Sequence, residues 1–133
     1  MIDIKELRIN NIIGKNDIEY IVDAVNVEKY VVMHDSCLHT HISESVDIEP
    51  INLDKNILLN CGFIEDKNGF LNLSWTCGMD KTKTIQFEIG EDYVCCTFWI
   101  GSGNDKMFLD CKYLHQLQNL YYALRQTELD VNL

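Results

Sequence analysis

The sequence has little of several things at once. It holds one proline, Pro50, among 133 residues. It has no low-complexity run, so a long disordered tail is not expected. It has two arginines, Arg8 and Arg125. Its 11 basic residues face 21 acidic ones, for a net charge of −10. In neither half do basic residues outnumber acidic ones. Phosphate-backbone binding needs clustered lysine and arginine, so nucleic acid is not an expected partner. An acidic DNA mimic is conceivable, but solubility is the plain role of such a charge. No apolar run approaches the ~18 residues of a transmembrane helix. Met1-Ile2-Asp3-Ile4-Lys5-Glu6 has neither the basic nor the apolar region of a secretory signal. We therefore expect no membrane partner and a cytoplasmic protein.

Familiar catalytic and metal signatures are also missing. The six cysteines, at 37, 61, 77, 95, 96 and 111, show no zinc-ribbon spacing, and Cys95-Cys96 is adjacent rather than CxxC. In a cytosol they stay reduced. Gly101-Ser102-Gly103-Asn104 lacks the GxGxxG pattern and the Walker lysine, and reads as a hairpin turn. Asp80, Glu88, Glu91 and Asp92 gather near hairpins without EF-hand spacing, and read as solvated turn acids.

What is present is a periodic C-terminal stretch, Lys112 to Leu129. At about 100° per residue, Tyr113, Leu114, Leu117, Leu120, Tyr121 and Leu124 share one arc. His115, Gln116, Gln118, Asn119, Tyr122, Arg125 and Gln126 take the opposite arc. This is an amphipathic helix whose apolar stripe needs a surface to bury against. Upstream, β-runs at 12–13, 18–25 and 29–34, with a further candidate at 39–46, are joined by tight turns. That is the cadence of a small barrel. Asp54 can cap a short helix over 55–60 that stops at Gly62. Asn68-Gly69 is a hairpin signal, and strands follow at 70–75, 84–89, 93–100 and 107–109.

The expected fold class is α+β. It consists of a small N-terminal SH3-like β-barrel over residues 1–50, then a short helix and an antiparallel β-meander covered by the C-terminal amphipathic helix over 51–133. The two parts are expected to pack as one unit.

Three stretches carry a resemblance. Leu7-Arg8-Ile9-Asn10-Asn11 looks like an LRIGN opening. Ile48-Glu49-Pro50-Ile51-Asn52-Leu53, with Gly62-Phe63, looks like an IEPIPL…GF middle. Tyr113 to Leu124 resembles a YVHQLQNLYFALTGEEL ending. Together they are similar to a family of small uncharacterised proteins of bacterial genomes, prophages and mobile elements. The resemblance runs nearly the whole length. It implies accessory cargo of phage or mobile-element type and carries no activity. Asn10 stands where the opening has glycine, and asparagine also tolerates the left-handed region. Asn52 replaces a proline. Gln126 replaces the glycine after the helix, so the usual stop signal is gone and the helix can run on to Leu129.

Candidate chemistry centres on His34-Asp35-Ser36-Cys37-Leu38-His39-Thr40-His41. On a strand, Cys37, His39 and His41 would share one face. These three ligands with a water could form an open zinc site, and His34 or Asp35 could add a fourth ligand; a polar solvated loop is the competing reading. A cysteine nucleophile would need a base in space, such as His115. The helix carries a second candidate. His115, Asn119, Tyr122 and Gln126 form a stripe with little charge, which suits a protein contact because charge is depleted at interface cores. Contact between the two halves and plain surface are its alternatives.

The leading expectation is a non-catalytic interaction protein acting through a protein partner or self-association, with no cofactor. The alternatives are a metal-dependent or thiol enzyme using Cys37, His39 and His41 with zinc, and a protein that sequesters an anionic nucleotide-like ligand.

Overall fold

The computed structural model describes residues 1–26, 29–77, 81–101 and 106–132, with Cys77 by its backbone alone. Asp80 and most of the expected turns at 26–28 and 101–105 lie outside the described residues. Two antiparallel sheets and a C-terminal helix make the chain α+β. The chain divides into two units, Met1–Asn52 with Tyr113–Glu128, and Leu53–Lys112 with Leu129–Leu133.

The first unit contains four strands: β1 (Ile12–Lys15), β2 (Ile18–Val25), β3 (Tyr30–His34) and β4 (Thr40–Glu44). They pair antiparallel in sequence order. Asn16 and Asp17, at φ 52° and 63°, make the two-residue turn between β1 and β2. Both being left-handed, they match the twist of the strands they join. One sheet face is apolar because its side chains alternate. Ile13, Tyr20, Val22, Val31 and Met33 point there, and Ile2 and Ile48 join them in a buried cluster, with Ile4, Leu7 and Val25 packed alongside. The sheet is open rather than closed. Its terminal strands, β1 and β4, do not pair with each other, so the SH3-like barrel expected over residues 1–50 is not formed. The free side of β1 is instead engaged by Glu49, whose backbone exchanges hydrogen bonds of 2.9 and 2.8 Å with Gly14.

The C-terminal amphipathic helix spans Leu114–Arg125. It belongs to the first unit, where two amide side chains tie it to residues 6–12. Gln118 Oε1 accepts from the Ile12 N–H at 2.8 Å, and its Nε2 donates to the Asn10 carbonyl at 3.0 Å. Asn119 Oδ1 accepts from Asn11 Nδ2 at 2.9 Å and from Arg8 Nε at 3.2 Å, while its Nδ2 donates to the Glu6 carbonyl at 2.7 Å. These groups meet their partners in residues 6–12, so the helix face read as polar is partly an inner face.

The helix also ends earlier than expected. Gln126 takes the left-handed cap at φ 60°, and its N–H bonds the Tyr122 carbonyl at 2.7 Å. Asn10 likewise sits at φ 75°, as its replacement of glycine allows.

The second unit begins with a short helix (Lys55–Asn60), capped by Asp54, whose side chain accepts from the Ile57 N–H. It buries Leu58. Five strands follow in sequence order: β5 (Ile64–Glu65), β6 (Leu71–Cys77), β7 (Lys81–Ile89), β8 (Val94–Ile100) and β9 (Lys106–Leu109). One face carries Leu71, Trp75, Ile85, Phe87, Cys96 and Phe98, all buried. Phe63 meets Phe87 edge-on at 5.5 Å, and Trp75 stacks on Phe98 at 6.4 Å. The other face is polar across its middle. Gln86 donates to Asn72 at 2.9 Å, and the Ser74 and Thr84 hydroxyls are 2.8 Å apart.

Two stability predictions follow. Gln118→Ala leaves the Ile12 N–H and the Asn10 carbonyl without their side-chain partners. It should lower unfolding free energy by about 2–3 kcal/mol, read from urea midpoints at unchanged slope. Gln126→Gly removes a side chain from a left-handed cap and should raise it by about 1 kcal/mol; a lower midpoint would contradict the assigned cap.

Candidate functional site

Of the four residues expected to hold zinc, the structure sends His34 to the other sheet face and gathers His39 and His41 at one Asp35 oxygen. Register places His34 opposite Ile21 and His41 opposite Met33, so their side chains leave opposite faces of the sheet. His34 Nδ1 bonds Asp23 at 2.8 Å. His41 Nε2 bonds Asp35 Oδ2 at 3.1 Å, and its ring meets Tyr20 edge-on at 5.1 Å. His39 Nδ1 lies 3.5 Å from the same Asp35 oxygen. The other Asp35 oxygen accepts from the Cys37 and His39 backbone N–H groups, both at 3.0 Å. This shapes residues 35–39 into a turn with Leu38 left-handed at φ 65°. Those backbone hydrogen bonds, that from His39 first, hold the Asp35 carboxyl below its ordinary range, helped by the His41 side chain. Cys37 is exposed in the turn. Among the described residues, no three His, Cys, Asp or Glu side chains converge to hold a metal ion.

Two other cysteines are unsuited to nucleophilic attack. Burial raises the Cys61 thiol to about 11, aided by Asp130. A hydrogen bond with Cys96 and burial push Cys111 far above the usual thiol range. A nucleophile works as thiolate, and these two stay protonated.

The expected contact stripe on the C-terminal helix is not one surface. His115 is buried and Asn119 makes the hydrogen bonds already described. Only Tyr122 and Gln126 are exposed, and the Arg8 guanidinium covers the Tyr122 ring at 4.3 Å. The His115 ring stacks on Tyr113 at 5.9 Å, 8° from parallel. Neither of its nitrogens has a hydrogen-bond partner among the described residues. Burial lowers its pKa, and the Glu6 charge opposes that shift.

Both arginines that an anionic ligand would need have partners within the chain. Arg8 donates to both Glu128 oxygens, one at 3.0 Å, and this bonding holds Glu128 below its ordinary range. Arg125 donates to the Tyr121 hydroxyl. A cleft of ≈ 200 Å³ in the first unit is lined by Lys15 together with Asp17, Glu19 and Glu49. An anion entering it would meet three carboxylates for one ammonium.

The exposed large apolar groups most concentrated on one short element belong to β9. Phe108 is 75% exposed and Met107 58%. β9 ends its sheet, pairing with β8 through Cys96↔Leu109, Thr97↔Phe108, Phe98↔Met107 and Trp99↔Lys106. Its other edge pairs with no strand among the described residues. Reading the sequence for periodicity missed this surface. The available signal was Met107-Phe108 itself: neighbours on a strand face opposite ways, so a strand apolar on both sides at the end of a meander has one face to leave open. Comparison of the chain with protein-family profiles, curated proteins and solved structures returns no match.

The buried imidazole gives a pH prediction. With the folded pKa of His115 lowered from 6.5, the unfolded chain binds the proton first. The stability that depends on neutral His115 is present above about 6.5 and is lost as pH falls from there towards the folded value. His115→Leu should therefore flatten the decline in urea midpoint between about pH 7 and 5.5. An equal decline in both proteins would show that His115 is not its source.

Proposed function

We propose that this chain is a non-catalytic interaction protein that works by contact with other protein chains along an open sheet edge. The observation that supports it is the pair of exposed apolar side chains, Met107 and Phe108, on the terminal strand β9. An edge strand carries a row of unpaired backbone donors and acceptors that another strand can complete. In strand addition the main chain supplies affinity, and alternate side chains supply selectivity. Met107 and Phe108 present one apolar group on each side of such an edge. The resemblance of the three sequence stretches adds a setting, a cytoplasmic accessory factor of phage or mobile-element type. The zinc and thiol readings have less support, because His34, Cys37, His39 and His41 do not form one site. The anionic-ligand reading has less support because Arg8 is paired with Glu128.

Photocrosslinking tests the proposal. With p-benzoylphenylalanine in place of Phe108, irradiation in producing cells should yield covalent adducts with a protein chain. The same group at Glu91, in an exposed turn, should not. Absence of protein adducts at 108, or equal adducts at both positions, would remove β9 as the working surface.

A further inference from the structure

β9 and the residue after it read Lys106-Met107-Phe108-Leu109-Asp110. The segment is symmetric in chemical character about Phe108. Lys106 and Asp110 are each two residues from the centre, with opposite charge. Met107 and Leu109 are each one residue away, and both are apolar. We infer that the partner at this edge is a second copy of the same chain, bound by antiparallel pairing of β9 with β9 about a twofold axis through Phe108. This inference rests on the reading of β9 as a docking edge.

Antiparallel pairing centred on Phe108 sets Lys106 opposite the second copy's Asp110, at both ends by symmetry. It sets Met107 opposite Leu109 and Phe108 opposite Phe108. Lys106 and Phe108 leave one face of the strand and Met107 and Leu109 the other, and extending the strand by one residue in the dimer adds Asp110 to the first face. Every direct cross-strand pair is then apolar with apolar or acid with base, the combinations that stabilise a ladder. Parallel pairing would set Lys106 against Lys106, so the charges select direction as well as partner. A twofold antiparallel contact uses the same patch on both copies and closes at two chains.

Edge strands are commonly guarded by charges that repel a copy of themselves. The two charges here do the reverse, because antiparallel pairing brings opposite signs together. A terminal strand of the first sheet shows the contrast. β4 also exposes an isoleucine, Ile42, at 69%. Self-pairing about Ile42 would set Thr40 against Glu44 and His41 against Ser43, with no acid–base pair. In the single chain the Lys106 ammonium lies 4.9 Å from the Trp99 ring. Pairing offers it a full opposite charge instead, within reach of a flexible side chain.

The test is sedimentation equilibrium of the full chain over a range of concentrations, with far-UV circular dichroism to confirm that each variant is folded. The native chain should move with concentration from 15.4 kDa towards twice that mass. Lys106→Asp alone, or Asp110→Lys alone, places like charges at both ends and should weaken association by at least about tenfold. The double variant carrying both substitutions rebuilds the pairs in reverse and should recover most of the native affinity. A chain monomeric at every concentration would overturn the inference. So would a dimer indifferent to the single substitutions, or a double variant no stronger than either single one. Crosslinks from position 108 to a different protein, with no dimer in the centrifuge, would overturn the second copy and leave the docking edge standing.

Discussion

Gln118 and Asn119 carry the constraint on which the first unit depends. They are consecutive side chains on one helix, and between them they bond the backbone of Glu6, Asn10 and Ile12 and the side chains of Arg8 and Asn11. Gln118 alone takes one N–H and one carbonyl two residues apart, so it reads the register of the strand start. A slip of one residue would point its donor and acceptor at the wrong groups. Buried polar groups stabilise a fold only when each is satisfied. That condition makes this grip specific where an apolar contact would tolerate sliding. Arg8 extends it past the end of the helix through Glu128.

Around that grip, the reactive side chains are quiet. Cys61 and Cys111 are held protonated by their surroundings. Asp35 spends one oxygen on the backbone of its own turn and the other on His41, with His39 beside it. His34 is taken by Asp23. Titratable groups grouped in sequence are here dispersed or used to shape a loop. β9 differs, since Met107 and Phe108 are exposed and its outer edge pairs with no strand among the described residues. That imbalance is the physical ground for reading the molecule through its edge rather than through a pocket.

Much of the fold was legible in the sequence for local reasons. Asp54 and Gly62 bracket the short helix because capping is a property of a few adjacent residues. The β2 and β3 segments show their strand alternation directly. The barrel was not legible, because closure depends on whether terminal strands meet, and short strands with tight turns look the same in open and closed sheets. The hold of the helix on residues 6–12 was not legible, because periodicity identifies a buried face but not its neighbour. His115 and Gln118 fell on the polar arc by residue type, yet both are buried. Gln126 ended the helix without glycine because the left-handed region is costly for glutamine, not forbidden. Of the candidate site, the cluster at 34–41 was visible as composition. The way register sends His34 and His41 to opposite faces was not, since it requires knowing where β3 ends and β4 begins.

The first unit is assembled from the two ends of the described chain, with the meander lying between them in sequence. On a ribosome this sets an order of events. The N-terminal sheet emerges first, but the helix that grips residues 6–12 follows only after roughly 60 more residues, about 3–12 s at ordinary elongation rates of ~5–20 residues per second. During that interval the nascent sheet waits with the Asn10 carbonyl and the Ile12 N–H lacking their helix partners, while the strands of the second unit emerge and can pair among themselves.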